Sequence, residues 1–282
     1  MGSKTNFMKS NNQRGEWTTR DELVSRISDG LGWRDSRVLE AIELFSLGPR
    51  SNFLEPPPGM SPGDVYPWRF NRALSYLRRP LILRRGQSGP EILWGDRHLE
   101  TARENLLSLC LTGRLKARSG AMRAFIGKRR NKQGKDFNDS VADTLRDSLK
   151  LPTKRRVRKI GKLRFDNLGD IDVLAADASR KHIIGLECKD LSVARTPHEL
   201  LDEVTHLLYG DRKHRSVVAK HEDRIRWVRE HMSEVLKFFE IPARTGWRVV
   251  SYIVVDEALI TPHLLKCPIA VLSLEQLKKG LP

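Results

Sequence analysis

The chain has 282 residues, of which 39% are hydrophobic and 30% are charged, a composition that supports a packed core and excludes a disordered chain. Its net charge of +16 favours polyanionic partners, chiefly nucleic acid, through contacts to phosphate groups. We expect no membrane partner, because no apolar run approaches the roughly 18–20 residues of a membrane span and no signal-peptide pattern is seen.

The N-terminal part of the sequence predicts a flexible segment over residues 1–15 and a mainly helical region of unknown role over residues 16–130. The first helix is expected to begin at a cap formed by Thr18 or Thr19, with acidic residues in its first turn. A short hairpin is expected around the turn residues 86–90. We leave nucleic-acid binding by this region open.

Aromatic and basic residues alternate over residues 66–72. Stacking on nucleic acid combined with phosphate contacts would explain this pattern. A packed seam between domains would explain it equally well, and the sequence does not decide between them.

Two basic stretches flank a helix predicted at about 136–149. They contain nine lysines and arginines between residues 111 and 135 and eight between residues 150 and 164, without a single acid. We expect them to form a nucleic-acid-binding surface. The candidate contacts to nucleic acid in these stretches are Lys128, Arg129, Arg130, Lys154, Arg155 and Arg156.

The predicted helix at 136–149 has two distinct faces. Phe137, Val141 and Leu145 recur every four residues and predict the face that packs on the core. Acidic residues follow helical spacing on another face, where we expect a solvated or salt-bridged surface and not metal ligands. These acids are Asp136, Asp139, Asp143 and Asp147.

From residue 136 onward the pattern predicts a helix, three strands, two helices, two strands and a closing helix. The first of these strands is expected at 157–163, and a long helix is expected at about 214–239. A helix before them should begin at Thr196-Pro197, because proline is favoured at the first helical position. This order predicts an α/β fold with a mixed sheet.

The strands around Asp172 and Glu187 combine apolar residues with charges. Side chains on a strand alternate between two faces, so Asp170 and Asp172 point the same way, as do Glu187 and Lys189. Cys188 points to the opposite face. Charges on otherwise apolar strands are costly unless something pairs them, and a divalent metal with a phosphate would do so.

This D-x(n)-E-x-K pattern, with its flanking helices and strands, resembles the PD-(D/E)xK nuclease superfamily over residues 131–282. The resemblance implies a restriction-endonuclease-like αβββαβ core with a mixed sheet, after the mainly helical N-terminal region. It implies a metal-dependent nuclease in which Asp172, Glu187 and Lys189 are catalytic.

The resemblance also implies a metal site. Asp172, Glu187 and the backbone carbonyl of Cys188 would hold Mg²⁺, for which Mn²⁺ can substitute, and Asp170 is a candidate ligand of a second ion. Lys189 would orient or help deprotonate the attacking water, or stabilise charge on the phosphate.

One departure from the family pattern concerns the first helix. Many relatives carry a glutamate in a pattern like G-x-x-F-E, whereas residues 134–138 here end in Asn138. The missing carboxylate weakens the expectation of a two-metal site more than the expectation of activity. Arg195, before the following helix, is the candidate contact to the substrate phosphate.

The sequence therefore predicts a DNA endonuclease acting on double-stranded DNA. An RNA-directed nuclease and an inactive nucleic-acid-binding module of the same fold are the alternatives. Asp172 as a buried structural acid, with Glu187 and Lys189 as an ion pair on a solvated strand face, also stays open. A homodimer and a separate partner protein are left open.

Cysteines and histidines are expected to play no catalytic part through their side chains. Three distant cysteines among apolar residues predict reduced thiols in a cytoplasmic protein, and Cys188 should lie in the core. The histidines are expected to be surface or hydrogen-bonded residues. This expectation covers His98, His198, His206, His214, His221, His231 and His263.

Overall fold

The structure is a computed structural model that describes residues 16–69, 72–87, 89–117, 119–165, 167–191, 193–194, 196–242 and 245–282. The segment 1–15, predicted to be flexible, lies outside the described residues, as does Arg195. The chain divides into two compact units, Met1–Lys116 and Ala117–Pro282. Both contain helices and a sheet, and the predicted α/β class is confirmed.

The boundary between the units lies before residue 117, whereas the sequence placed a boundary between residues 130 and 131. The reason is one continuous helix, Gly120–Asp143, which crosses the predicted boundary. Ser119 caps it, because its hydroxyl accepts a hydrogen bond from the Met122 N–H at 3.2 Å. The basic residues 128–130 therefore belong to the second unit.

The first unit combines three helices with a four-stranded sheet. The Thr19 hydroxyl caps the first helix, as predicted, and the predicted hairpin is present. The sheet order is β1-β4-β3-β2, with β2 and β3 parallel and the other pairs antiparallel. The elements are β1 Glu16–Thr19, α1 Arg20–Leu31, α2 Asp35–Leu44, β2 Ser46–Leu47, β3 Leu81–Gly86, β4 Gly89–Trp94 and α3 Asp96–Leu111.

The second unit is built on a five-stranded mixed sheet of order β11-β10-β9-β8-β5. The pairs β5–β8 and β8–β9 are antiparallel, while β9–β10 and β10–β11 are parallel. A separate two-stranded hairpin, β6–β7, follows β5. The strands are β5 Thr153–Val157, β6 Lys159–Ile160, β7 Leu163–Arg164, β8 Ile171–Asp177, β9 His182–Lys189, β10 Arg248–Val255 and β11 Ala270–Ser273.

Helices cover both faces of this sheet. Two of them, α4 and α5, end in a single π-helical turn, at Thr144–Ser148 and Thr205–Tyr209. None of the described helices is long and apolar enough to cross a membrane. The helices of this unit are α4 Gly120–Asp143, α5 Pro197–Val204, α6 Val217–Glu230, α7 Met232–Phe238, α8 Thr261–Leu264 and α9 Leu274–Lys278.

Two local predictions in this unit were wrong. The strand expected at 157–163 is β5, which ends at Val157, followed by the small hairpin that turns at Gly161 with φ of +60°. The long helix expected at 214–239 is interrupted at His231, whose φ of −113° and ψ of 30° are not helical. Periodicity continues across such a break, so the sequence pattern does not show it.

The core forms two layers, one on each face of the sheet. Phe137, Val141 and Leu145 of α4 pack on one face, as predicted. Helices α6 and α7 cover the other face near Ile183. At Gly185 the packing is closest, since a Cβ there would lie 2.3 Å from Ile225 Cδ1. This contact brings α6 directly over β9.

Candidate functional site

The two charged strands predicted from the sequence lie side by side. Strands β8 and β9 pair antiparallel with Val173 opposite Leu186, which brings Asp172 and Glu187 to the end of the paired region. Lys189 is the last residue of β9. Three residues separated in sequence are therefore collected at one place in the sheet.

Glu187 is a buried carboxylate held by two cations. Its side chain is only 4% exposed, and its Oε1 lies 2.7 Å from Lys189 Nζ. Its Oε2 accepts a hydrogen bond from Arg224 Nη1. The Glu187–Lys189 ion pair that the sequence left open thus exists, but Glu187 is buried and not on a solvated strand face.

Asp172 is only partly buried and accepts two hydrogen bonds. Asn138 Nδ2 donates to its Oδ1 at 3.1 Å, and the backbone N–H of Cys188 donates to its Oδ2 at 2.8 Å. Desolvation and the negative charge of Glu187 together raise the pKa of Asp172 to about 6, against the opposing effect of Lys189. The two neighbouring carboxylates therefore repel each other.

Lys189 keeps its charge in this environment. Burial alone would lower the pKa of the Lys189 amine, but Glu187 and Asp172 more than offset this effect, so that its pKa is raised. A lysine in this state is protonated near neutral pH. It suits the orientation of a water or the stabilisation of a phosphate better than proton abstraction.

Asn138, which stands where the resembled G-x-x-F-E pattern has a glutamate, lies against Asp172. Its amide nitrogen donates to the carboxylate, so it supports Asp172 and adds no negative charge. Cys188 packs in the core with Leu186, as predicted, and burial raises the pKa of its thiol well above the ordinary value.

Sequence reasoning missed Arg224 on α6. Its side chain is 11% exposed and its Nε donates to the Leu168 carbonyl at 2.7 Å, while Nη1 donates to Glu187. The guanidinium therefore bridges the loop before β8 and the buried carboxylate. A signal existed, because Arg224 is next to Ile225 on the apolar face of an amphipathic helix.

His221 is the second residue that sequence reasoning misjudged. It was expected to be a surface or hydrogen-bonded histidine, but its side chain is fully buried and neither ring nitrogen has a hydrogen-bond partner among the described residues. The Gly185 backbone approaches the ring without meeting hydrogen-bond geometry, and Glu187 Oε2 lies 3.9 Å from Nδ1. Burial lowers the pKa of His221 to about 4.

Several predicted residues lie in other interactions. Asp170 precedes β8, with its Oδ2 3.8 Å from Arg158 Nε. Arg155 and Arg156 bind Asp139 at 3.0 and 2.6 Å. Together with the pairs of Asp143 and Asp147 to Arg146, these contacts confirm a salt-bridged acidic face on α4.

The other predicted nucleic-acid contacts are divided between α4 and β5. Lys128 and Arg130 are exposed on α4, and Arg129 beside them is half-buried. Lys154 is exposed, with its Nζ 5.4 Å from the ring centroid of Phe238. In the first unit the Tyr66 and Trp68 rings stack at 4.5 Å, whereas Phe70 and Asn71 lie outside the described residues.

The donors at the site fit one divalent ion. Asp172, Glu187 and the Cys188 carbonyl offer the hard oxygen atoms that Mg²⁺ prefers, and a cation would relieve the repulsion that raises the pKa of Asp172. Asn138 contributes no carboxylate for a second ion, because it directs an N–H group to Asp172. Within the described ranges no three His, Cys, Asp or Glu side chains are already arranged to hold a metal.

The fold and the site together define an α/β protein with a cluster of two carboxylates and a lysine at the end of two central strands, in which Glu187 is buried. The model of the Upx-like family, described as anti-phage protein Upx-like, matches residues 19–271. The chain therefore belongs to the Upx-like family of anti-phage proteins, a membership that assigns it to defence against phage.

Comparison with individual proteins adds one similar structure, that of protein VC1899 from Vibrio cholerae, at 13% identity and a TM-score of 0.23. The aligned region covers 70% of this chain and 37% of VC1899, so this chain spans little more than a third of that protein. No curated protein matches the chain.

Proposed function

We propose that this anti-phage protein is a metal-dependent nuclease of the PD-(D/E)xK type that hydrolyses phosphodiester bonds in DNA. The observation that supports it most is the meeting of Asp172, Glu187 and Lys189 at the ends of two paired strands. Two neighbouring carboxylates beside a protonated lysine can hold a divalent ion and orient water or phosphate for phosphodiester hydrolysis.

Each residue has a separate part in this proposal. Asp172, Glu187 and the Cys188 carbonyl hold a divalent ion, which supplies positive charge to the phosphate oxygens when bound. Lys189 orients the attacking water or binds a phosphate oxygen. Asn138 fixes Asp172 through the 3.1 Å hydrogen bond, so that the carboxylate is positioned before substrate arrives.

The charge of the chain supports a nucleic-acid substrate, since +16 is well suited to a polyphosphate. Lys128 and Arg130 are the exposed basic residues that we propose contact the phosphate backbone. Double-stranded DNA is favoured because most of the resembled superfamily acts on it. Three free thiols agree with a cytoplasmic location, where phage DNA would be met.

An inactive nucleic-acid-binding module is the alternative that a specific observation favours. Arg224 and Lys189 already neutralise Glu187, so the described site is balanced in charge without a metal. A protein that had lost turnover could keep such a network for stability alone. An RNA-directed nuclease differs only in substrate.

Cleavage assays separate these alternatives. The wild-type protein and Lys189→Ala would be incubated with supercoiled plasmid, linear duplex, single strands and RNA, with Mg²⁺ or EDTA. Lys237→Ala is the matched control, because Lys237 forms an exposed 2.9 Å ion pair with Glu234. We expect Mg²⁺-dependent cutting of duplex DNA by the wild type and the control and none by Lys189→Ala.

Other outcomes change the proposal in defined ways. Equal cutting by all three proteins would show that the assigned site is not the active one. Salt-sensitive binding without cutting of any substrate would establish the binding module, and cutting of RNA alone would replace DNA as the substrate.

A further inference from the structure

We propose that Arg224 and His221 are positioning residues that offer Glu187 two alternative partners. In the metal-free protein Glu187 binds Arg224, and on metal binding it exchanges Arg224 for the ion and turns to the N–H of His221. The inference rests on the proposed metal-dependent function and assigns to α6 the control of metal loading.

Arg224 supplies one of the two positive charges that contact Glu187. Its guanidinium and the Lys189 ammonium both contact Glu187, so the buried carboxylate is neutralised without a metal. A divalent ion beside the same carboxylate would face two cations, and like charges at this range repel strongly where water is excluded. Glu187 therefore has to release one of them before it can bind the ion well.

Arg224 is the partner that Glu187 can release at lower cost. The guanidinium has a second anchor, because its Nε donates to the Leu168 carbonyl at 2.7 Å. It would keep this hydrogen bond after leaving the carboxylate. Lys189 in contrast is proposed to act on water or phosphate beside the carboxylates, so its place is required.

The buried imidazole of His221 forms no hydrogen bond with the described residues. A buried histidine whose ring nitrogens form no hydrogen bond lowers the stability of the folded protein. The distance from Nδ1 to Glu187 Oε2 is 3.9 Å, so a movement of about 1 Å would form an ordinary hydrogen bond. Outer hydrogen-bond donors of this kind orient carboxylate ligands in metal sites.

Titration with Mn²⁺, followed by isothermal calorimetry, tests the two residues in opposite directions. Arg224→Gln removes the competing charge and is expected to bind Mn²⁺ about tenfold more tightly. Arg226→Gln is the control, because Arg226 is 64% exposed on the same helix and pairs with Asp223 at 3.2 Å. Its Mn²⁺ affinity should stay within about twofold of the wild-type value.

His221 gives an independent test if Arg224→Gln fails to fold. His221→Leu is expected to bind Mn²⁺ roughly three- to tenfold more weakly, since the Glu187 carboxylate loses its donor. His221→Asn places an amide nitrogen near the position of Nδ1 and should restore most of the affinity. Removal of an unpartnered polar group should meanwhile raise the melting temperature of metal-free His221→Leu.

The outcomes separate this inference from the function on which it rests. Weaker or unchanged Mn²⁺ binding by Arg224→Gln, or unchanged binding by His221→Leu, would overturn the exchange and leave the nuclease proposal intact. A wild-type protein that neither binds Mn²⁺ nor cuts nucleic acid would overturn both.

Discussion

Two acidic clusters of the second unit have the same chemistry and different surroundings. Asp139 on α4 binds Arg155 and Arg156 at the surface, where its side chain is 34% exposed. Glu187 on β9 binds Lys189 and Arg224 with only 4% exposed. Solvent screens the first cluster, whereas the second cluster keeps its electrostatic energy, so only there does each charge depend strongly on its neighbours.

The largest expected difference between the clusters is in catalysis. If the buried cluster is the active site, Glu187→Gln should lower the rate of plasmid cleavage by about 10²–10⁴-fold, the range for loss of a group that acts on the reacting atoms. Asp139→Asn should leave the rate within about twofold, because exposed pairs contribute little. Both rates are measured with Mg²⁺ at one salt concentration. Equal losses of cleavage rate in the two variants would show that the buried cluster has no special part in catalysis.

Stability should show the next largest contrast. Arg224→Ala leaves a buried carboxylate with one cation and should lower the free energy of unfolding by about 3–5 kcal/mol. Arg155→Ala, which removes an exposed partner of Asp139, should cost less than about 1 kcal/mol. Urea denaturation of the metal-free variants gives both values. A small effect of Arg224→Ala would mean that the buried pair contributes no more than the surface one.

The pH dependence should have opposite signs in the two regions. The pKa of Asp172 is about 6 in the folded protein and near 3.9 in an unfolded chain, so its contribution to stability is present below about pH 4 and is lost as the pH rises through 6. Relative to Asp172→Asn, the metal-free wild type should thus lose roughly 2–3 kcal/mol from pH 4 to pH 7.

Asp147 on the surface of α4 provides the comparison for this measurement. A hydrogen bond from Arg146 lowers the pKa of Asp147. The contribution of Asp147 to stability is therefore present at neutral pH and is lost as the pH falls through this lowered pKa. Relative to Asp147→Asn, the wild type should therefore gain stability with rising pH. Thermal unfolding at several pH values measures both differences, and equal signs would contradict the comparison.

The smallest expected effect concerns the salt dependence of DNA binding. Replacement of exposed Lys128 and Arg130 by alanine should reduce the slope of log affinity against log salt by roughly 2, since each phosphate contact contributes about 0.9. Replacement of Arg155 and Arg156 should reduce it less, because Asp139 already engages both guanidinium groups. A larger reduction of the slope for the Arg155 and Arg156 variant would mean that DNA displaces Asp139 from these two arginines on binding.

The sequence identified the strand-borne part of the site because the alternation of side chains is a local property. Period two placed Glu187 and Lys189 on one face of their strand, and the resemblance to the D-x(n)-E-x-K pattern joined them to Asp172. Helical spacing placed Phe137, Val141 and Leu145. His221 and Arg224 could not be placed from the sequence, because Glu187, which lies near both, is more than thirty residues away and no short-range rule connects them. Their occurrence on the apolar face of α6 was the available signal.

The sequence also predicted those ends of helices and strands that depend on neighbouring residues, and missed those that depend on distant ones. Caps at Thr19 and Thr196 follow from their own side chains, which accept hydrogen bonds from Glu22 and Glu199. The break at His231 has no such marker in the sequence, and the position of β5 depends on its pairing with β8. Pairing and packing determined the elements that the sequence misplaced.

The glycine at position 185 connects the packing of α6 to the electrostatics of the cluster. A Cβ there would come within 2.3 Å of Ile225 Cδ1, so even a methyl group would force the end of the Ile225 side chain to move. A larger residue would lift the helix from the sheet and carry the imidazole and guanidinium of α6 away from Glu187. The distance between α6 and β9 thus sets how strongly the positive charge of α6 acts on the buried carboxylate of Glu187.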